Sequence, residues 1–160
     1  MLTTMDLEAE WLAETIRLAT ENVAAGGGPF GALIANADGV VATGTNRVTA
    51  TLDPSAHAEI TAIRAACREL GTFRLDGYVL VSSCEPCPMC LSTALWARVE
   101  RVVYAGDRND AARAGFDDLA FYDLFEQPRQ SWSVPVTQLS TTDGFAPFAA
   151  WLDRDDRIEY

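Results

Sequence analysis

Residues 78–90 have the sequence YVLVSSCEPCPMC, in which a short apolar stretch leads directly into a group of cysteines. The apolar stretch predicts a buried strand over 78–83, followed by a helix over 88–97. Cys87 and Cys90 are three residues apart, so they share one face near the first turn of that helix. The N-terminus of a helix favours negative charge, which helps to hold both cysteines as thiolates.

A second informative segment, SAHAE at 55–59, begins another predicted helix over 56–70 and contains His57, the only histidine of the chain. With Cys87 and Cys90 it makes three ligands, the number that a catalytic zinc keeps while one position stays open for water. Both parts of this ligand set follow a strand and begin a helix. We therefore expect the two helix N-termini to meet at the carboxyl edge of the sheet, where open α/β folds place their sites.

The rest of the sequence alternates between helical and extended patterns. A first helix is predicted over 6–25, with an apolar stripe of Leu7, Trp11, Leu12, Ile16, Ala19 and Val23. Further predicted elements are hairpin strands over 30–36 and 40–44, strands over 101–105 and 134–139, and helices over 109–114, 117–126 and 145–152. This order indicates a three-layer α/β/α sandwich with a mixed central sheet. The length of 160 residues predicts a single domain, 1–160.

Composition excludes several classes of protein. All 12 basic residues are arginine, so a Schiff-base lysine and a Walker-A phosphate loop are excluded. A single histidine excludes a three-histidine zinc site and an HExxH metalloprotease within one chain. The net charge of −11 argues against nucleic-acid partners and against anionic membrane surfaces. Residues 1–10 lack the features of a secretory signal, and no apolar run is long enough to span a membrane, so we expect a cytoplasmic protein.

Alternative interpretations of the cysteines remain open at this point. A lone CxxC also occurs in redox proteins of the thioredoxin type. Cys84, Cys87 and Cys90 also resemble part of an iron–sulfur ligand run, with Cys67 as a possible fourth ligand. Cys67 falls on the apolar stripe of its helix, which favours a place in the core.

The combination of His57-x-Glu59 with Pro86-Cys87-x-x-Cys90 matches the signature of zinc deaminases. The chain resembles the cytidine/deoxycytidylate deaminase superfamily and, more narrowly, the bacterial guanine deaminases, over essentially its whole length. The segments that carry this resemblance are 27–32 (GGPFGA), Asn46, Asp53-Pro54, 57–59, 83–90, Trp96-Ala97-Arg98, 114–118 (AGFDD) and Glu159-Tyr160. The resemblance implies a cytidine deaminase-like fold with one Zn²⁺ per subunit, held by His57, Cys87 and Cys90.

The implied activity is the hydrolytic deamination of guanine to xanthine and ammonia. Two thiolates neutralise the charge of Zn²⁺, so water at such a site needs a base close by. Glu59 stands two residues beyond His57 and would carry that proton, although an acid in a first helical turn also serves the helix dipole. By resemblance, Asp118 is a second catalytic proton carrier, and the substrate-binding residues are Asn46, Phe30, Trp96 and Tyr160.

The resemblance also implies an exchange between subunits. Phe145, Phe148, Ala149 and Leu152 form an apolar helical stripe that must be buried somewhere. We expect the helix and tail over 145–160 to be exchanged in a homodimer, with Tyr160 closing the active site of the partner. The alternatives are a zinc deaminase of another small base or nucleoside, such as cytosine, cytidine or guanosine, a tRNA-adenosine deaminase, and a redox or iron–sulfur protein.

Overall fold

The computed structural model describes residues 4–160. Its strands are β1 (Gly31–Asn36), β2 (Gly39–Thr45), β3 (Val79–Cys84) and β4 (Arg101–Gly106). Its helices are α1 (Thr4–Ala24), α2 (Val48–Thr51), α3 (Ala58–Leu70), α4 (Pro88–Trp96), α5 (Arg108–Arg113), α6 (Asp118–Glu126) and α7 (Ala146–Leu152), with a 3₁₀ turn at Arg129–Ser131. Most predicted elements are confirmed to within two residues, whereas the short helix α2 was not predicted.

The four strands form one mixed sheet in the order β2-β1-β3-β4. Strand β1 is antiparallel to both β2 and β3, and β3 is parallel to β4. In this register Gly31 pairs with Thr45, and Cys84 pairs with Gly106. The start of β1 and the ends of the other three strands therefore lie at the same edge of the sheet. This arrangement confirms the predicted α/β fold class with a mixed sheet.

Helices cover both faces of the sheet. On one face Trp11 of α1 packs against a cluster formed by Leu33, Ala35, Val79 and Val81. On the other face α3 and α4 enclose a larger cluster that includes Ile34, Ile63, Leu80 and Ala94. Successive residues of β1 alternate between the two clusters, as the two-residue period of a strand requires.

Two glycines allow helices to lie directly on the sheet. A Cβ atom at Gly44 would stand 2.3 Å from the carbonyl oxygen of Ala58, so α3 contacts β2 backbone to backbone. A Cβ at Gly31 would stand 2.4 Å from the carbonyl oxygen of Thr15 in α1. The approach at Gly44 sets the position of the first turn of α3, which carries the candidate site residues.

The buried face of α1 differs from the predicted stripe. Trp11, Thr15, Ala19 and Asn22 are buried, whereas the predicted core residues Ile16 and Val23 are 47% and 50% exposed. The close approach at Gly31 leaves room for small and polar side chains, and it turns this narrower face of the helix toward the sheet.

The predicted strand over 134–139 is wrong for the chain as described. These residues belong to no helix or strand, and Val134, Val136 and Leu139 are exposed. A strand requires a neighbouring strand whose backbone groups are free to pair with it. Pro135 also lacks the backbone N–H that would donate one of these hydrogen bonds.

The described chain divides into two compact units, one up to Tyr122 and one from Asp123 to Tyr160. The second unit contains the end of α6, the 3₁₀ turn and α7, and none of its residues is buried. Within it, Phe125 meets Trp132 edge to face at 5.2 Å between ring centroids. Among residues 4–160, no helix is both long enough and apolar enough to cross a membrane.

Candidate metal centre and adjoining cavity

The candidate ligands stand at the N-termini of two helices. His57 is the N-cap of α3 and Cys87 is the N-cap of α4, both with extended backbone, and Cys90 follows in the first turn of α4. N-caps are usually Ser, Thr, Asp or Asn. Here a histidine and a cysteine take these positions. The N-cap residues of α3 and α4 are therefore candidate metal ligands and not ordinary capping residues.

The ligand atoms are close enough to share one ion. His57 Nδ1 lies 3.6 Å from Cys87 Sγ and 3.5 Å from Cys90 Sγ, and the two sulfurs are 3.6 Å apart. A tetrahedral zinc with ordinary bond lengths requires about 3.5 Å between nitrogen and sulfur and about 3.8 Å between sulfurs. The three residues therefore fit a zinc ion, and within residues 4–160 they form the one metal-ligand cluster found.

The thiols of the two cysteine ligands have pKa values that are shifted in opposite directions. The hydrogen bonds of Cys87 with Cys90 and with His57 lower the pKa of the Cys87 thiol to about 4, in spite of burial. The same hydrogen bond with Cys87, together with burial, raises the pKa of Cys90. Zinc is bound by thiolates, so metal binding would release the protons that the two cysteines still hold.

Glu59 lies in the first turn of α3 and is 4% exposed. Its Oε1 accepts a hydrogen bond from Ser82 Oγ of β3 at 3.3 Å, which orients the carboxyl group. Burial raises the pKa of Glu59 above the ordinary value of a glutamate. A buried, oriented carboxyl group that takes up a proton more readily than usual is suited to proton transfer.

A cavity of about 290 Å³ adjoins the ligand cluster. His57 and Glu59 form one side of it, and the wall residues Phe30 and Phe116 meet edge to face at 4.8 Å between ring centroids. The remaining lining residues are Gly28, Asn46, Val48, Thr49, Glu85, Asp117, Asp118 and Phe121. The cavity is thus apolar on one wall and acidic near the ligands, and it lies wholly within the first unit.

The structure brings most of the predicted site residues into this cavity. Phe30 and Asn46 line it, and Asp118 enters it from the first turn of α6. Burial raises the pKa of Asp118, and the nearby Cys87 thiolate adds to this effect. The Oδ1 atom of Asn46 accepts from the Val48 amide at 3.3 Å, which leaves its Nδ2 group as the donor for the cavity.

Two of the predicted substrate-binding residues are not brought to the cavity of the described chain. Trp96 ends α4 and lines a separate surface depression with Ser92, Leu95 and Arg98. It is 60% exposed, and the length of α4 places it about 13 Å along the helix from Cys87. Tyr160 belongs to the second unit and is 70% exposed, so its predicted role stays a prediction.

Sequence reasoning missed a group of contacts that hold Glu85 and Pro86, the two residues before the ligand Cys87. Glu85 accepts hydrogen bonds from the amide and the guanidinium group of Arg108, and that guanidinium lies over the ring of Tyr122 at 3.5 Å. The Tyr122 hydroxyl donates to the carbonyl oxygen of Pro86. The contacts join residues that are 23 and 36 positions apart, so no local pattern could have found them.

Phe116 and Asp117 lay within the AGFDD segment quoted above, although no role was assigned to them.

The other cysteines are separate from the cluster. The Cys84 thiol donates to the carbonyl oxygen of Asp107 at 3.6 Å, and burial raises its pKa to about 11. Cys67 is partly buried against the core between α3 and the sheet, as predicted. Neither joins the three ligands, so the geometry does not favour an iron–sulfur set.

Comparison with known proteins agrees with this geometry. A model of the cytidine and deoxycytidylate deaminase zinc-binding region matches residues 5–106. Guanine deaminase of Bacillus subtilis (strain 168) is 46% identical over 151 residues, which are 94% of this chain and 97% of that protein. The X-ray structure of guanine deaminase from Bacillus subtilis superposes with a TM-score of 0.92, covering 95% of this chain and 98% of that chain.

More distant relatives share the fold. A structure of guanine deaminase from Nitrosomonas europaea is 37% identical with a TM-score of 0.65, covering 69% of this chain and 64% of that chain. A tRNA-specific adenosine deaminase of Bacillus subtilis is 36% identical over 94 residues, 59% of this chain and 58% of that protein. The fold and the ligand set define a zinc-binding deaminase domain. The chain belongs to the cytidine and deoxycytidylate deaminase family.

The ligand assignment predicts selective loss of metal. Cys87→Ser should lose most of its zinc, because the serine hydroxyl stays protonated at neutral pH and cannot replace the thiolate as a ligand. Cys84→Ser is the matched control, since Cys84 is also buried but bonds only to a carbonyl oxygen, and it should retain one zinc per chain. Elemental analysis of the purified variants measures both. Full zinc retention in Cys87→Ser would contradict the assignment.

Proposed function

We propose that the protein hydrolyses guanine to xanthine and ammonia, with one zinc per chain. The observation that carries this proposal is that one cavity is lined by His57 of the zinc-ligand cluster, the buried Glu59 carboxyl group and the Asn46 amide. The near full-length similarity to the guanine deaminase of Bacillus subtilis supports guanine as the substrate.

The walls of the cavity suit a flat, uncharged purine. Phe30, Phe116 and Phe121 offer apolar surface for a ring. The Asn46 Nδ2 donor matches the acceptors N7 and O6, which guanine presents side by side.

The acidic residues of the cavity favour a free base over substrates that carry phosphate groups. The described residues that line the cavity include Glu59, Glu85, Asp117 and Asp118 but no arginine, and the Arg108 guanidinium is bound to Glu85. A phosphate group would meet only like charge there. This supports a free base over a nucleotide or a tRNA.

The chain's own residues supply binding and proton transfer. Bound zinc lowers the pKa of water and so provides a nucleophile at neutral pH. With zinc held by His57, Cys87 and Cys90, Glu59, oriented by Ser82, would accept a proton from the attacking water and deliver it to the ring nitrogen beside the carbon that bears the amine. Asp118, whose pKa is raised by burial, would donate a proton to the departing amine and recover one from the hydroxyl group added to that carbon, which becomes the carbonyl of the product, while Asn46 holds the base in register.

A panel of bases tests the substrate. Ammonia release should be faster from guanine than from adenine or cytosine by orders of magnitude in kcat/KM, because a buried donor left without its acceptor penalises the wrong base. Guanosine and cytidine extend the panel to nucleosides. Comparable rates on cytosine would assign the protein to another deaminase of the family.

The role of Glu59 is tested separately from the metal. Glu59→Gln should keep its zinc while turnover falls by roughly 10²–10⁴ or more, because the amide cannot carry the proton. Glu69→Gln, an exposed substitution on the same helix, is the matched control and should keep the wild-type rate. Near wild-type deamination by Glu59→Gln would reduce Glu59 to a residue that serves the helix dipole.

We also propose a homodimer in which 145–160 is exchanged as part of a single deaminase domain, 1–160. Residues 123–160 contain no buried residue, and Phe145, Phe148 and Leu152 of the predicted apolar stripe are 64%, 61% and 56% exposed. Such a stripe requires a covering surface. Strand β4 pairs with β3 alone in the described sheet, so a partner's segment has an open edge beside it. The exposed Trp96 and Tyr160 would gain their predicted contacts in this dimer.

Complementation tests the exchange. Tyr160→Ala and Glu59→Gln chains, each of low activity, should regain activity when unfolded together and refolded as hybrids. One site of a hybrid then combines an intact Glu59 with a Tyr160 from the other chain. Hybrids isolated by two affinity tags should show about half of the wild-type rate per dimer, because one of the two sites is complete. A monomer by light scattering, or inactive hybrids, would rule out the exchange.

Cytoplasmic purine breakdown is the setting that we propose for this activity. All four cysteines are free, and two of them are zinc ligands that oxidation to a disulfide would remove. Reducing conditions such as those of the cytoplasm keep these thiols available.

A further inference from the structure

One buried amide of α1 is bonded to both sides of the cavity. Asn22 is 8% exposed, and its Nδ2 group donates to the carbonyl oxygen of Gly28 at 2.8 Å and to that of Asn46 at 3.0 Å. Both amide hydrogens are thus used. A buried amide is costly without such partners, so its position is tied to these two carbonyls.

The two carbonyls belong to different segments of the chain. Gly28 lies in the turn that leads into β1, and Asn46 follows the end of β2. Both residues line the cavity. The Asn46 amide also donates to the carbonyl oxygen of Phe30 at 3.1 Å, so the segments are joined to each other where the Asn46 side chain begins.

Asn22 has no contact with the cavity itself. It is absent from the lining residues, which include Gly28, Phe30 and Asn46. Its two hydrogen bonds act on the backbone from which the Asn46 side chain projects. These two bonds add to the direct backbone bond between the segments and fix the backbone on both sides of the point where the Asn46 side chain begins.

We propose that Asn22 is a positioning residue that sets the Asn46 amide against the bound base. This rests on the proposed function for the choice of guanine as ligand and for the role of Asn46 in binding it. Without the two donors, the Gly28 and Asn46 carbonyl groups lose their shared partner and the backbone at Asn46 shifts, which weakens the hydrogen bond of Asn46 to the base and leaves the zinc ligands and Glu59 in place.

The first test is Asn22→Leu, which keeps the size of the side chain and removes both donors. KM for guanine should rise about tenfold, the effect of one lost hydrogen bond, while kcat changes less than threefold and zinc content stays at one per chain. The dissociation constant of guanine, measured by calorimetry in a Glu59→Gln background, should rise by the same factor. A KM within twofold of wild type would overturn the proposal.

Thr15→Val is the matched control for general destabilisation. Thr15 lies on the same buried face of α1, is 0% exposed, and donates only to the carbonyl oxygen of Leu12 at 2.8 Å. It should lower Tm without changing KM. An equal rise of KM in Thr15→Val would show that any damage to α1 suffices. If Asn22→Leu does not fold, Asn22→Ala replaces it, since the smaller side chain leaves room for water at the two carbonyls.

A double-mutant cycle decides whether Asn22 acts through Asn46. The effect of Asn22→Leu on KM should shrink to less than twofold in an Asn46→Ala background, because the group being positioned is already missing. Additive effects would overturn the proposal. If the wild-type protein does not turn over guanine, the proposed function fails, and the same cycle is measured as dissociation constants for the base that the panel identifies.

Discussion

The structure depends on one geometric constraint, which is that a nitrogen and two sulfurs from two separate helix N-termini stand within 3.6 Å of one another. His57 and Cys87 are 30 residues apart, so tertiary contacts must bring them together. The sheet does this, because β2 and β3 end at the same edge of the sheet. Helix α3 follows β2 and packs directly on its backbone at Gly44. A side chain at Gly44 would lift the first turn of α3, and with it His57 and Glu59, away from Cys87 and Cys90.

The electrostatics of the site follow from the same constraint. Bringing the Cys87 thiolate into a buried place near Glu59 and Asp118 opposes ionisation of both carboxyl groups, in addition to the effect of burial. The pKa of each of these carboxyl groups is therefore raised above that of an exposed acid. Glu85 behaves in the opposite way, because the hydrogen bonds from Arg108 lower its pKa and keep it ionised. Acids that line one cavity thus differ in the direction of their pKa shifts according to their neighbours.

Local patterns were sufficient for most elements and for the ligand set. The apolar stretch before Cys84, the glycine that ends α3 at Gly71, and the proline at the start of α4 each act within a few residues, so strands and helices were predicted close to their observed bounds. The spacing of Cys87 and Cys90 placed two ligands on one helical turn for the same reason. The strand over 134–139 was wrong because the extended pattern does not itself supply a neighbouring strand.

The sequence by itself determined the class of fold and the residues of the candidate zinc site, since the order of the elements, the Cys87 and Cys90 spacing and the single histidine can be read along the chain. Only the tertiary structure decided which face of α1 is buried, because the approach at Gly31 turns Thr15 and Asn22 inward in place of larger apolar residues. The cavity walls were decided in the same way. Asn22 reaches Asn46 over 24 residues, and Tyr122 reaches Pro86 over 36. Such contacts depend on how the elements pack in three dimensions, and no periodicity along the chain records them.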